Sequence, residues 1–291
     1  MPLDLGAQLP HTRDAADLHE IPQVAAELER AGFDSLWASD HVVLPRRIES
    51  RYHFAADGAA SFPGTTPFAE TLMTLAAAAA ATTRVRLGTD VLVLPQRNPV
   101  LTAKQVATLA ALSQERFELG VGAGWVAEEF LALGESFADR GPRMVEWIEI
   151  MRRCWTGFPE ELRGRFYTLP AETVCLPAPA RPVPVLVGGH SGPALRRAGQ
   201  VGDGWLGQQT CGEIDTAALA KDIAVIRSAA EAAGRDPLAL RLTLRIVQSA
   251  GRAADVAATL GDIEAVGIHE VIVDPVLGTA AEDVALLRGS R

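Results

Sequence analysis

The sequence predicts a closed (β/α)8 TIM barrel, one domain over residues 1–291, with insertions after the second and fourth strands. Three observations predict it. Short apolar strands alternate with amphipathic helices along the whole chain, and eight such pairs can be read. Alternation of this kind builds a parallel sheet, since each helix carries the chain back to the same end. No change of composition marks a linker, and 291 residues suit one such barrel.

The elements follow in order. Residues 3–9 form the first strand. A helix over 17–31 places Leu18, Ile21, Val24, Ala25 and Leu28 on one face and stops at Gly32. Residues 33–38 are the second strand, and an irregular stretch runs from about 41 to 67. The helix over 67–82 is extended by the alanine run 76–81, alanine being the best helix former. Residues 84–94 are the third strand. Asn98-Pro99 then opens a helix to about 112, with proline where its missing N–H costs nothing.

The fourth strand is 116–121, followed by a short helix near 127–133 and a longer one from about 142 to 155. Residues 157–182 hold a proline-rich excursion with a hairpin around 166–169. The later strands are 183–187, 204–207, 240–248 and 270–274. Their helices begin near 193 and span 215–233, 253–266 and 280–288, with Gly234 and Gly267 as stops. In a barrel of this order the loops after the strands share one face, and chemistry sits there.

Composition narrows the function. Apolar residues make up 48% of the chain, enough for a large core, and the formal net charge is -9 with no basic run. Nucleic acids and anionic membranes are therefore excluded as partners. An anionic ligand would need a local site, such as the backbone amides of a helix N-terminus. No stretch is apolar enough for long enough to span a bilayer. The N-terminus lacks a basic segment followed by an apolar one, so no signal peptide is expected. Cys154, Cys175 and Cys211 form no CxxC pair and read as reduced thiols of a cytoplasmic protein. A small-molecule substrate and a homodimer are expected.

Four segments could carry chemistry. Trp37-Ala38-Ser39-Asp40-His41 ends the second strand, so His41 would point into the barrel mouth, where an imidazole can exchange a proton. Asp40 could orient a ring or cap the next segment; a surface histidine without a role is the plainer alternative. His11, His19, His53 and His269 show no metal-ligand spacing, and no metal is expected.

Gly188-Gly189-His190-Ser191-Gly192 lies between a strand and a helix. Its glycines admit an anion, and the helix start and the Ser191 hydroxyl can hold a phosphate. A tight turn would also use glycines. Gly122-Ala123-Gly124-Trp125-Val126-Ala127 matches the dinucleotide pattern GxGxxA, but three strands precede it and Glu146 falls inside a helix. That pattern belongs to a first βα turn, so the dinucleotide reading is rejected. Gly122 and Gly124 instead keep a pocket floor free of side chains. Leu87-Gly88-Thr89-Asp90-Val91-Leu92 places glycine and aspartate in a β-rich run, which suggests a bulge. Glu128-Glu129 reads as a pair of exposed first-turn acids. No GxSxG elbow or GxxxxGK[ST] loop occurs.

In their order along the chain these segments are familiar. Residues 31–41, Val85-Arg86-Leu87-Gly88-Thr89, Pro95 with Asn98-Pro99, and Lys104-Gln105 form the first part of the set. Leu119 to Trp125 with Glu128-Glu129-Phe130, Arg140-Gly141-Pro142-Arg143, Val187 to Ser191 and Gly202-Asp203-Gly204-Trp205 complete it. The chain resembles the luciferase-like monooxygenase superfamily, and within it the F420-dependent oxidoreductases. The resemblance implies a cofactor ring across the barrel mouth and a cofactor phosphate near Gly188, Gly189 and Ser191. It implies that His41 lies near the reacting carbon, and that a non-proline cis peptide at Asp90-Val91 props the ring. It also implies coenzyme F420 as cofactor, with Arg196 or Arg197 near its acidic tail, and FMN in a two-component monooxygenase as the alternative.

Two departures stand out. Sugar-phosphate dehydrogenases of the superfamily carry glutamate where this chain has Trp125, and tryptophan where it has Pro45. This leaves the acid partner of His41 unassigned. A barrel that binds the cofactor without turnover is a further alternative. An aldolase would need a lysine at a strand end, and no predicted strand ends in one.

Overall fold

The strands close on themselves. A computed structural model describes residues 3–12, 14–52 and 58–289, so His53 lies outside the described residues. Eight parallel strands form the ring: β1 (Asp4–Gln8), β2 (Ser35–Ala38), β3 (Arg86–Thr89), β4 (Phe117–Gly122), β5 (Val185–Gly188), β6 (Gly204–Thr210), β7 (Arg241–Val247) and β8 (Glu270–Val273). Each pairs with the next, and β8 returns to β1 in register from Asp4↔Glu270 to Ala7↔Val273. Outside the ring lie α1 (Ile21–Ala31), α2 (Thr71–Ala81), α3 (Pro99–Leu112), α4 (Ala127–Ala132), α5 (Arg140–Cys154), α6 (Gly192–Val201), α7 (Thr216–Ala232), α8 (Ala253–Ala257), α9 (Leu260–Ala265) and α10 (Ala280–Gly289). This is the barrel that the alternation predicts.

Four elements differ from the sequence reading. The third strand is broken: Arg86–Thr89 and Leu92–Val93 both pair with β4, and the peptide Asp90–Val91 between them is cis. The first helix begins as a 3-10 turn over Ala15–Glu20 and becomes α-helical at Ile21–Ala31. Pro22 explains the change, because it lacks the N–H that would continue the preceding turn. The helix over 253–266 is two helices. The amide and hydroxyl of Thr259 both donate to the Val256 carbonyl, at 2.9 and 2.8 Å, and interrupt the ladder. The hairpin pairs Leu162–Arg163 with Thr168–Leu169, and Glu146 of α5 accepts from the turn amides of Arg165, Phe166 and Tyr167.

Side chains fill the barrel in layers. Trp37, Leu186, Leu206 and Ile272 form a cluster separate from the main core. Trp37 fits because Gly6 and Gly88 lack side chains: a Cβ at Gly88 would lie 2.2 Å from its ring. Nearer the strand N-termini, Arg86 and Arg241 both bridge Asp4, Glu118 and Glu270. Burial pushes the Glu118 carboxyl up there. These charges close the bottom of the barrel, leaving the opposite end for a site. No helix among the described residues is long and apolar enough to cross a membrane.

Candidate active site

The floor of the mouth is built around Val91. The cis peptide Asp90–Val91 places it between the glycines of two neighbouring strands. A Cβ at Gly122 would lie 2.4 Å from Val91 Cγ2, and one at Gly188 would lie 2.9 Å from Cγ1. Gly122 and Gly188 therefore make room for Val91 first, and the flat floor follows from that. Gly124 has φ +80°, and a Cβ there would meet Val93 Cγ1 at 2.6 Å.

Beneath this floor the Asp90 side chain is fully buried against Arg245. Arg245 donates through Nη1 to both Gln8 and Asp90, and through Nη2 to Asp274 Oδ1 at 2.7 Å. Burial pushes the Asp90 carboxyl up to about 6, against the pull of Arg245, and Asp274 adds to the rise. The second Asp90 oxygen, Oδ1, is buried without a hydrogen-bond partner among the described residues. Two carboxylates thus share one buried cation.

His41 stands at the wall of the mouth. Its Nδ1 lies 2.9 Å from Glu129 Oε2, and Glu129 Oε1 accepts from the amides of Val42 and Val43 at 2.6 and 3.3 Å. Both side chains are removed from water, at 9% and 1% exposure for His41 and Glu129. Burial alone would raise the Glu129 carboxyl, but the hydrogen bond and charge of His41 and the Val42 amide hold it below the usual range. The exposed-acid reading of Glu129 is thereby corrected. Glu128 is half-buried and accepts from the amides of Glu49 and Ser50. A signal was present: Val126, Glu129, Phe130 and Leu133 share one helical face, so Glu129 lies in an apolar stripe. With Nδ1 committed to Glu129, Nε2 has no hydrogen-bond partner among the described residues and is left for a ligand.

Aromatic rings enclose that imidazole. Phe68, Phe62 and Trp125 lie 4.9, 5.3 and 6.1 Å from it, edge to face. Tyr52 packs on Trp125 and accepts from Gln208 Nε2 at 2.7 Å, which ties the loop after β2 to the end of β6. Asp40 has its carboxylate occupied within the protein. Oδ2 accepts from the Val93 amide at 2.9 Å, and Oδ1 from Arg97 Nη2 at 2.7 Å and Thr71 Oγ1 at 3.2 Å. It ties the loop carrying His41 to the strand that leaves Val91.

The loop after β5 presents backbone. Gly189 has φ +112° and gives its amide to Leu206 O at 3.3 Å. Ser191 caps α6 by accepting from Ala194 N, and the N–H groups of Ser191 and Gly192 reach no acceptor among the described residues. His190 braces the loop with both ring nitrogens: Nδ1 meets Asp222 Oδ2 at 2.6 Å and Nε2 accepts from the Gln208 amide at 2.9 Å. The second bond requires Nε2 to be unprotonated, so Nδ1 carries the proton. His190 can offer a ligand only its main chain. Among the described residues no His, Cys, Asp and Glu group could hold a metal ion.

The arrangement is a buried imidazole bonded to a carboxylate, a floor of Val91 seated between glycines, and two backbone amides without an acceptor among the described residues, all at one barrel mouth. The family model described as luciferase-like monooxygenase matches residues 3–266. The chain belongs to this family.

Relatives of this luciferase-like protein include an uncharacterised protein of Mycobacterium tuberculosis, 44% identical over 63% of each chain. An F420-dependent glucose-6-phosphate dehydrogenase of Amycolatopsis mediterranei is 33% identical over 64% of this chain and 52% of the enzyme. The chain thus spans less than two thirds of these relatives' length. A solved F420-dependent secondary alcohol dehydrogenase, in complex with an F420-acetone adduct, superposes with a TM-score of 0.80. Its identity is 18% over 100% of this chain and 99% of that one, a likeness of fold.

Proposed function

We propose that the protein is an oxidoreductase that uses the deazaflavin coenzyme F420 and acts on a small organic carbinol or carbonyl. The observation that carries this reading is the His41–Glu129 pair, enclosed by aromatic rings at the barrel mouth. The residues present fit the coenzyme. Val91, seated between Gly122 and Gly188, offers a surface without projecting side chains, and Ser191 and Gly192 offer amides to a phosphate. When bound, the deazaflavin supplies a carbon that gives or takes hydride and reacts poorly with oxygen.

The chain's own residues handle the proton. Glu129 keeps the His41 proton on Nδ1, so Nε2 can accept the hydroxyl proton of a carbinol, or return it to a carbonyl oxygen. The rings of Phe62, Phe68 and Trp125 exclude water from this transfer. They also favour a substrate whose reacting end is uncharged. Trp125 stands where sugar-phosphate dehydrogenases carry an acid, which argues against sugar-phosphate oxidation.

Titration with F420 and with FMN at matched salt tests the reading, followed by turnover of secondary alcohols and ketones with and without oxygen. F420 should bind more tightly, and turnover should not need oxygen. Tight FMN binding with oxygen-dependent product formation would overturn the proposal in favour of a two-component monooxygenase.

A further inference from the structure

Among the described residues one carboxamide is buried with both of its polar ends unmet. Gln96 is 6% exposed, and neither Oε1 nor Nε2 is aligned on a hydrogen-bond partner. Burial in that state opposes folding, and an apolar side chain of equal length would avoid the cost. The backbone holds Gln96 where it is. It ends the 3-10 turn Leu94–Gln96, just before α3. The turn is pinned by the Val93 amide on Asp40 Oδ2 at 2.9 Å, by Arg97 Nη2 on Asp40 Oδ1 at 2.7 Å, and by the Arg97 carbonyl, which accepts from Trp147 Nε1 at 2.7 Å.

The Gln96 side chain lies beside Glu129. Burial would raise the Glu129 carboxyl, and His41 first, then Gln96, pull it below its usual range. An ionised carboxylate only accepts, so the end of Gln96 that can face it is the NH2 group. Glu129 has a place for that donor. Its Oε1 takes the Val42 and Val43 amides, whereas Oε2 takes only His41 Nδ1 among the described residues, and a carboxylate oxygen can accept about two bonds. An unfilled donor thus lies next to an unfilled acceptor. The last torsion of a glutamine is soft, so the carboxamide can reorient in its niche.

We propose that Gln96 is a positioning residue for His41: its Nε2 donates to Glu129 while the pair is negative, which keeps the carboxylate aimed at Nδ1, and lets go when the pair takes a proton. The role rests on the reading of His41 as the proton-exchanging group, and Gln96 acts only through Glu129. The other charged groups around the pair are Asp40 and Glu70, both held by Arg97, Glu135 held by Arg143, and Glu128 on Ser50. His11, bonded through both ring nitrogens, and Tyr52, packed on Trp125, are each shifted by burial toward the neutral form.

The test follows two NMR probes against pH in the protein without substrate: the 15N-labelled His41 ring and the Gln96 side-chain NH2 group. In the wild type the NH2 signals should shift with the same midpoint as the His41 ring, a readout that needs no variant. Gln96→Met keeps the length and removes both polar ends. In that variant the pair should bind its first proton about tenfold more tightly, because a bond to its ionised form is gone. The urea midpoint should stay at or above the wild-type value, since an unpaired buried amide has been removed. Turnover of secondary alcohols should fall about tenfold through kcat, with KM and coenzyme affinity within about twofold. NH2 signals that ignore the His41 midpoint, or a proton affinity in the folded variant within about twofold of wild type, would overturn the role; normal turnover alongside either result leaves the reading of His41 standing. A lower urea midpoint with kcat and KM both altered would make Gln96 a packing residue and also overturn it. Linked NMR midpoints in a protein whose His41→Ala variant is fully active would overturn the reading of His41 and the role of Gln96 together.

Discussion

Replacing Glu129 by Gln separates the charge of the His41 pair from its shape. The variant keeps an oxygen that can accept from the Val42 and Val43 amides, now at 2.6 and 3.3 Å from Oε1. The other terminal atom becomes an NH2 group, which cannot accept from His41 Nδ1, now 2.9 Å away. The imidazole must then move its proton to Nε2, which removes the base from the pocket, or lose the bond that fixes its ring and tautomer. A buried charge-assisted hydrogen bond contributes about 1.5–3 kcal/mol, so turnover should fall by about 10- to 150-fold while coenzyme affinity changes little. The assays are deazaflavin absorbance in turnover and 15N NMR of the imidazole, which reads the tautomer without a substrate. Stability should respond with a defined sign. The folded Glu129 carboxyl is held low, so its contribution is present above the ordinary carboxylate range and is lost as pH falls through the folded value. Glu129→Gln should therefore be destabilised at pH 7 and approach the wild type in acid. Unchanged turnover together with an unchanged tautomer would refute the assignment of Glu129 as the group that positions His41.

Three further outcomes follow from the same geometry. His41→Ala should lower turnover by about 10²-fold or more with the coenzyme still bound, and full activity in that variant would remove the proton-transfer role. Gly122→Ala brings a Cβ to 2.4 Å from Val91 Cγ2, closer than such contacts allow, so Val91 must shift from its seat in the floor. Overpacking of this kind costs about 1–3 kcal/mol, so urea denaturation should show a loss and coenzyme affinity should drop; wild-type values for both would refute the account of the floor. Asp90, raised by burial to about 6, stabilises the fold below the ordinary carboxylate range, and that contribution is lost as pH rises through about 6. Relative to wild type, Asp90→Asn should gain up to about 3 kcal/mol between pH 4 and pH 8, and a pH-independent difference in unfolding free energy would contradict it.

Local chemistry made much of this protein legible. Gly32 closes α1 in a left-handed conformation at φ +103°, a position that glycine adopts without steric cost. Asn98 caps α3 by accepting from the Val100 and Leu101 amides, each at 3.0 Å, with Pro99 at the first helical position. The irregularity flagged by Gly88 and Asp90 is the cis Asp90–Val91 peptide. His190, by contrast, could be placed on its loop but not given its partners. Asp222 is 32 residues away, and the imidazole is bonded on both nitrogens.

The sequence by itself determined the ring of strands, the order of helices around it and the loops that share the mouth. Those follow from apolar periodicity and from capping residues, which act between neighbours a few positions apart. Tertiary structure alone decided how charges and rings meet across the mouth: His41 with Glu129 over 88 residues, Asp90 with Arg245 over 155, and Tyr52 with Gln208 over 156. Hydrogen bonds and buried charges act over a few ångströms of space, and separation along the chain carries no information about that distance. The apolar stripe of its helix places Glu129 inward, but only closure of the barrel sets it against an imidazole and two amides.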